Sequence, residues 1–164
     1  MKKLLFLIFL FAALLIVSCS NNQSCDAGNE LLCDFNKRGI NENSTRIIVF
    51  KGTKINFDGI QVEIEDRGTI EKIWLMLKRS RAGGVDYACG YVTAEFYDSE
   101  DKIKPNATLW IHCGGDDAGV YVEESKREIY DEEGNAIGLY RCTALTTYIW
   151  DVLEKKFKEH GDHL

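Results

Sequence analysis

Proline occurs once in this chain, at Pro105, which leaves no room for a proline-rich stalk. Cations are in the minority. Twenty Lys and Arg face 26 Asp and Glu, a formal charge of −6, and they are not clustered as nucleic acid or a polybasic membrane patch requires. No pair of cysteines has the CxxC spacing, so neither a thioredoxin-like redox motif nor a zinc ribbon is supported. GxSxG, HExxH and a phosphate-cradling glycine loop are missing as well. The acidic turns Asp98 to Asp101 and Asp131 to Glu133 lack the ligand spacing of an EF-hand. The sequence contains no internal repeat and no sign of a second domain. It therefore predicts no cofactor and no metal site.

What the chain does have, at its start, is Lys2 and Lys3 followed by fourteen unbroken apolar residues, Leu4 to Val17, and then Ser18-Cys19-Ser20. A membrane-spanning helix wants about 20 apolar residues, so the run is short for a permanent span. It has the size and flanks of a secretory signal. The string Ile16-Val17-Ser18-Cys19 resembles the lipobox of bacterial lipoproteins. That resemblance covers the signal and its processing site only. It implies that residues 1–18 are removed, that the Cys19 thiol carries diacylglycerol, and that the mature chain is held on a membrane. Each buried acyl methylene adds ~0.8 kcal/mol of membrane affinity, so two or three chains anchor firmly. In that family an aspartate just after the cysteine often retains the protein at an inner membrane. Ser20 and Asn21 provide none, so the outer membrane is favoured. The alternative is a plain cleaved signal or an uncleaved helical anchor, with Cys19 incidental.

Cleavage before Cys19 would leave 146 of the 164 residues. Without Lys2 and Lys3, 18 basic residues face 26 acidic ones, a charge of −8. Residues 19–45, rich in Asn, Ser, Asp and Gly, read as a lipidated N-terminus and flexible tether. One short helical turn is expected around Leu31. Residues 46–164 then form a single domain of ordinary size. Five cysteines remain besides Cys19, an odd number, so at least one thiol is unpaired within the chain. Cys25 and Cys33 could close a small loop or do nothing structural. Cys89 and Cys142, each read as lying on a strand two residues after a tyrosine and by alternation on the face away from Cys113, are expected to bond to each other across a loop of about 50 residues, leaving Cys113 reduced and buried.

The domain's elements follow from periodicity. Ile47 to Phe50 is β-branched and aromatic, Lys54 to Phe57 could extend a hairpin, and Ile60, Val62 and Ile64 alternate with polar residues. Ile70, Ile73, Trp74 and Leu77 form one helical stripe, capped by Asp66 or Thr69, in a helix over about 69–82. From Tyr87 the period is two. Val92, Ala94 and Phe96 share one face, and Tyr91, Thr93, Glu95 and Tyr97 the other. Thr108 to Cys113, Val120 to Val122, and a hairpin within 127–142 continue the strands. A helix over about 144–159 ends the chain, with Leu145, Ile149, Val152, Leu153 and Phe157 on its buried side. The fold class is α+β, a largely antiparallel sheet with two helices on one face.

Three places invite chemistry. In Ile111-His112-Cys113-Gly114-Gly115-Asp116-Asp117 a histidine beside a thiol suggests a thiol-dependent hydrolase. Strand alternation opposes it, because neighbouring side chains point to opposite faces. His160-Gly161-Asp162-His163 offers two imidazoles and a carboxylate, but in a tail where a preformed zinc site is not expected. The third is an exposed aromatic sheet face, Tyr87, Tyr91, Tyr97 and Trp110 with Tyr121, near acidic residues such as Glu95, which suits a protein partner, since Tyr and Trp are favoured at interfaces. Its alternative is a sheet covered on both faces. The sequence thus points to a membrane-anchored binding, inhibitory or immunity-type envelope protein without chemistry, against a hydrolase using Cys113 and His112.

Overall fold

A computed structural model describes residues 29–83, 91–112, 119–122, 129–130, 136–137 and 140–161. The class is α+β. Seven strands form one sheet in the order β2-β1-β4-β5-β6-β9-β3, and every pairing in it is antiparallel. Its body is β1 (Ile47–Lys51), β2 (Gln61–Ile64), β4 (Tyr91–Tyr97), β5 (Ala107–His112) and β6 (Gly119–Val122). The two-residue strands β3 (Arg81–Ala82) and β9 (Tyr140–Arg141) finish one edge. A separate pair joins β7 (Ile129–Tyr130) to β8 (Ala136–Ile137).

Alternation decides which side chains enter the core. Ile48 and Phe50 of β1, Val92, Ala94 and Phe96 of β4, and Leu109 and Ile111 of β5 are all fully buried on one face. Among the described residues three helices cover that face, one more than the sequence suggested: α1 (Glu30–Lys37), α2 (Arg67–Leu77) and α3 (Thr143–Gly161). α2 begins where Asp66 accepts hydrogen bonds from the Thr69 amide and hydroxyl, each at 2.8 Å. It stops at Leu77 instead of running to 82, because Arg81 and Ala82 are taken up as a strand against β9. Its stripe Ile70, Ile73, Trp74 and Leu77 is buried as the spacing predicts. Each fully buried aliphatic contributes ~1.5–3 kcal/mol.

The expected tether is corrected from Asn29 onward. Leu31, Phe35 and Ile40 are fully buried, and the Phe35 ring meets Trp74 and Phe96 edge-on at 5.3 and 4.9 Å. Asn29 caps α1 by accepting from the Leu32 amide. Its own amide donates to the Leu77 carbonyl at 3.1 Å, which ties the start of α1 to the end of α2. At the other end Gly39 takes φ +75°, the Gly39 amide bonds to Asn36 O and the Ile40 amide to Phe35 O. That is a Schellman stop, with Ile40 supplying its apolar contact. Trp74 completes the joint by donating its indole N–H to the Thr45 hydroxyl at 3.0 Å.

Residues 52–60 close the β1–β2 hairpin as a compact loop; Lys54 to Phe57 do not extend a strand. Gly52 is needed there, since a Cβ on it would lie 1.9 Å from the Phe57 carbonyl oxygen. Phe57 holds φ +56°, unusual for a bulky residue.

Candidate functional site

The sheet face turned away from the three helices is set by register. Ile47, Val49 and Lys51 of β1 stand opposite Tyr97, Glu95 and Thr93 of β4. Across β4, Tyr91, Thr93 and Glu95 stand opposite His112, Trp110 and Thr108 of β5. Trp110 is in turn paired with Tyr121 of β6. Four of the residues singled out in the sequence, Tyr91, Glu95, Trp110 and Tyr121, therefore lie on three adjacent strands of one face.

At one end of this face is an aromatic group. The Tyr91 and Trp110 rings lie 4.5 Å apart between centroids, and the Tyr91 and His112 rings 6.5 Å apart. Tyr91 and Trp110 are half-buried, while His112 is only 7% exposed. At the other end is a polar network that the sequence did not reveal. Glu95 receives the Lys51 ammonium at 2.6 Å and the Tyr97 hydroxyl at 2.5 Å on the same carboxylate oxygen. Burial pushes the Tyr97 hydroxyl pKa upward, and the adjacent Glu95 charge pushes it further. Beyond them Lys102 reaches from the β4–β5 connection to Glu63 of β2 at 2.6 Å.

Tyr97 is a correction to the exposed aromatic face, being 5% exposed and packed with Ile47 and Val49 in a small second cluster. The broad aromatic surface thus contracts to the half-buried pair Tyr91 and Trp110, with Glu95 at the other end of the same face.

The thiols also depart from expectation. Cys142 is free, so the Cys89–Cys142 bond is not made. Its side chain turns into the helix-covered core as α3 begins, and its thiol donates to the Met76 carbonyl at 3.3 Å. Burial raises its pKa to about 11, so it stays a neutral, unreactive thiol at physiological pH. Cys33, by contrast, is disulfide-bonded. Cys25, Cys89 and Cys113 lie outside the described residues, and so does the thiol of the hydrolase arrangement, of which only His112 is described; Cys19, the lipobox, Tyr87 and residues 162–164 lie outside them as well.

Among the described residues, no three His, Cys, Asp or Glu side chains are grouped to hold a metal ion. No helix among them is long and apolar enough to cross a membrane. Comparison with protein-family models, with curated proteins and with solved structures finds no match.

Proposed function

We propose that this is an exported, lipid-anchored bacterial protein that binds a protein partner in the cell envelope, as an inhibitory or immunity-type protein does. Anchoring rests on the Leu4–Val17 run and the lipobox ending in Cys19. The disulfide at Cys33 supports export, since such bonds persist in oxidising compartments and are rare in the reducing cytosol. The lack of an aspartate after Cys19 favours the outer membrane.

The observation that carries the binding reading is the half-buried Tyr91–Trp110 pair, on the sheet face turned away from the described helices, with Glu95 further along the same face. Rigid aromatic rings with a charged neighbour are what interfaces concentrate at their energetic centres.

The test is Trp110→Ala, read twice. Capture of the partner from the native envelope should weaken by more than ~2 kcal/mol, as truncation of a hot-spot aromatic does. Unfolding free energy should change by less than ~1 kcal/mol. A stability loss of ~3–5 kcal/mol, the cost of emptying a core tryptophan site, with capture unaltered once the protein is folded, would remove the interface.

A further inference from the structure

A second apolar surface lies where the 52–60 loop meets α3; the same loop bonds to β4 through the Thr53 hydroxyl, which donates to the Tyr91 carbonyl at 2.7 Å. Large hydrophobic residues are well exposed at only four described positions, Ile55, Leu75, Ile103 and Phe157. Phe157 and the loop that carries Ile55 meet through Phe57. Ile55, 69% exposed, lies in the 52–60 loop, and two residues on, the Phe57 ring meets Trp150 and Phe157 of α3 at 5.3 and 5.9 Å. Phe57 and Trp150 are half-buried, so the group presents both ring and aliphatic surface to the outside. The loop is held firmly in this shape. Gly52 abuts the Phe57 carbonyl, the Gly52 amide bonds to Ile60 O, and Phe57 keeps a strained positive φ. Strain of that kind persists where surrounding structure fixes it, and it gathers at functional surfaces.

We infer that Ile55, Phe57, Trp150 and Phe157 form a membrane-contact patch that seats the domain on the bilayer carrying its anchor. The inference rests on the lipid-anchored reading of Cys19. Chain length supports it. Ten residues separate Cys19 from Asn29, and fully extended they span at most ~33–36 Å. Asn29 bonds to Leu77 O, next to the Met76 carbonyl that receives Cys142 at the start of α3. From there to Phe157 is about 22 Å along the helix. Anchor and patch can therefore touch the same surface. Tethering converts the second contact into an intramolecular one, so a patch too small to bind membranes alone suffices. Tryptophan and phenylalanine beside an aliphatic tip are also what the bilayer interface favours. The nearest charges in sequence are mixed in sign: Lys54 and Asp58 in the loop, and Asp151, Glu154, Lys155, Lys156, Lys158 and Glu159 on α3, where Lys158 pairs with Glu154 at 2.7 Å and Lys156 with Glu159 at 3.8 Å. Seating should accordingly depend little on salt.

The experiment uses the full protein, purified from a bacterial membrane, on phosphatidylcholine vesicles carrying acyl-brominated lipid, titrated to saturating lipid. Tryptophan fluorescence should be quenched. The quenching should vanish in Trp150→Phe and fall several-fold in Ile55→Asp and Phe157→Asp, with Ile103→Asp unchanged and far-UV and thermal signals intact. Quenching that is missing from vesicle-bound wild type, or equal in wild type and Ile55→Asp, overturns the patch; a protein crosslinked at position 55 in place of lipid does the same. Mass measurement of Cys19 reads the anchor separately. An unacylated Cys19 contradicts the anchored reading and overturns the patch with it; an acylated, vesicle-bound protein that shows no quenching overturns the patch alone.

Discussion

Phe35→Ala asks whether the segment before β1 belongs to the domain. Phe35 is fully buried in α1, edge-on to Trp74 and Phe96, under helices that close the core face of the sheet. Emptying a buried phenylalanine site costs ~3–5 kcal/mol, and part of that cost is the lost edge-to-face pairing, ~0.5–1.5 kcal/mol per pair. A loss near 4 kcal/mol is a large fraction of the ~5–15 kcal/mol that holds a typical domain. Equilibrium urea unfolding, followed by tryptophan fluorescence and by circular dichroism, should show the midpoint falling with little change in slope. Leu32→Ala, on a half-buried neighbour, should cost clearly less. If residues 29–45 were a tether, Phe35→Ala would stay within ~0.5 kcal/mol, as surface changes do. That result would refute the three-helix core.

Gly52→Ala should cost more than the ~1–3 kcal/mol typical of overpacking, because the new methyl would meet the Phe57 carbonyl at 1.9 Å; chemical denaturation measures it. Gly59→Ala, at φ +73° in open space, should cost ~1–2 kcal/mol from backbone strain alone. Alkaline pH should unfold the domain early. The Cys142 thiol, from an ordinary 9.0, is pushed up to about 11 by burial, and the Tyr140 hydroxyl, from 10.0, to about 12. Both bind their protons more tightly folded than unfolded, so stability is complete below pH 9 and falls as pH rises through 9 to 12. Cys142→Ala should flatten the early part of that fall in a pH series of unfolding curves, and an unchanged profile would contradict the buried thiol.

Much of the sheet was readable because its signals are local. The alternation through Val92, Ala94 and Phe96, and the stripe Ile70, Ile73, Trp74 and Leu77, bring the same residues to the core that the sequence assigns there. α1 was expected only as one short turn around Leu31, although its ends are marked, by Asn29 as cap and by Gly39 in the Schellman position. Eight residues give barely two turns of periodicity, and the polar stretch around them reads as linker. β3 holds two residues and exists only through its pairing with β9, so no local pattern announces it, whereas β9 falls inside the hairpin expected within 127–142. Cys142 was misassigned by extending strand alternation past Arg141, where the chain already turns into α3. Phe157 continues the helical stripe from Leu153 but is half exposed, resting on Phe57 from a loop distant in sequence. The candidate site divides the same way. Tyr91, Trp110 and Glu95 were legible as one face, whereas the Lys51–Glu95–Tyr97 network needed the β1–β4 register.

The most direct test of the central reading is made at Cys19. Cells expressing wild type and Cys19→Ala are fed a radiolabelled fatty acid, and the protein is followed by electrophoresis and membrane fractionation. The account predicts that wild type is labelled and shortened by its leader, whereas Cys19→Ala is unlabelled and remains as the longer precursor. An unlabelled wild type, or a Cys19→Ala protein that is cleaved and retained on the membrane like wild type, would contradict it.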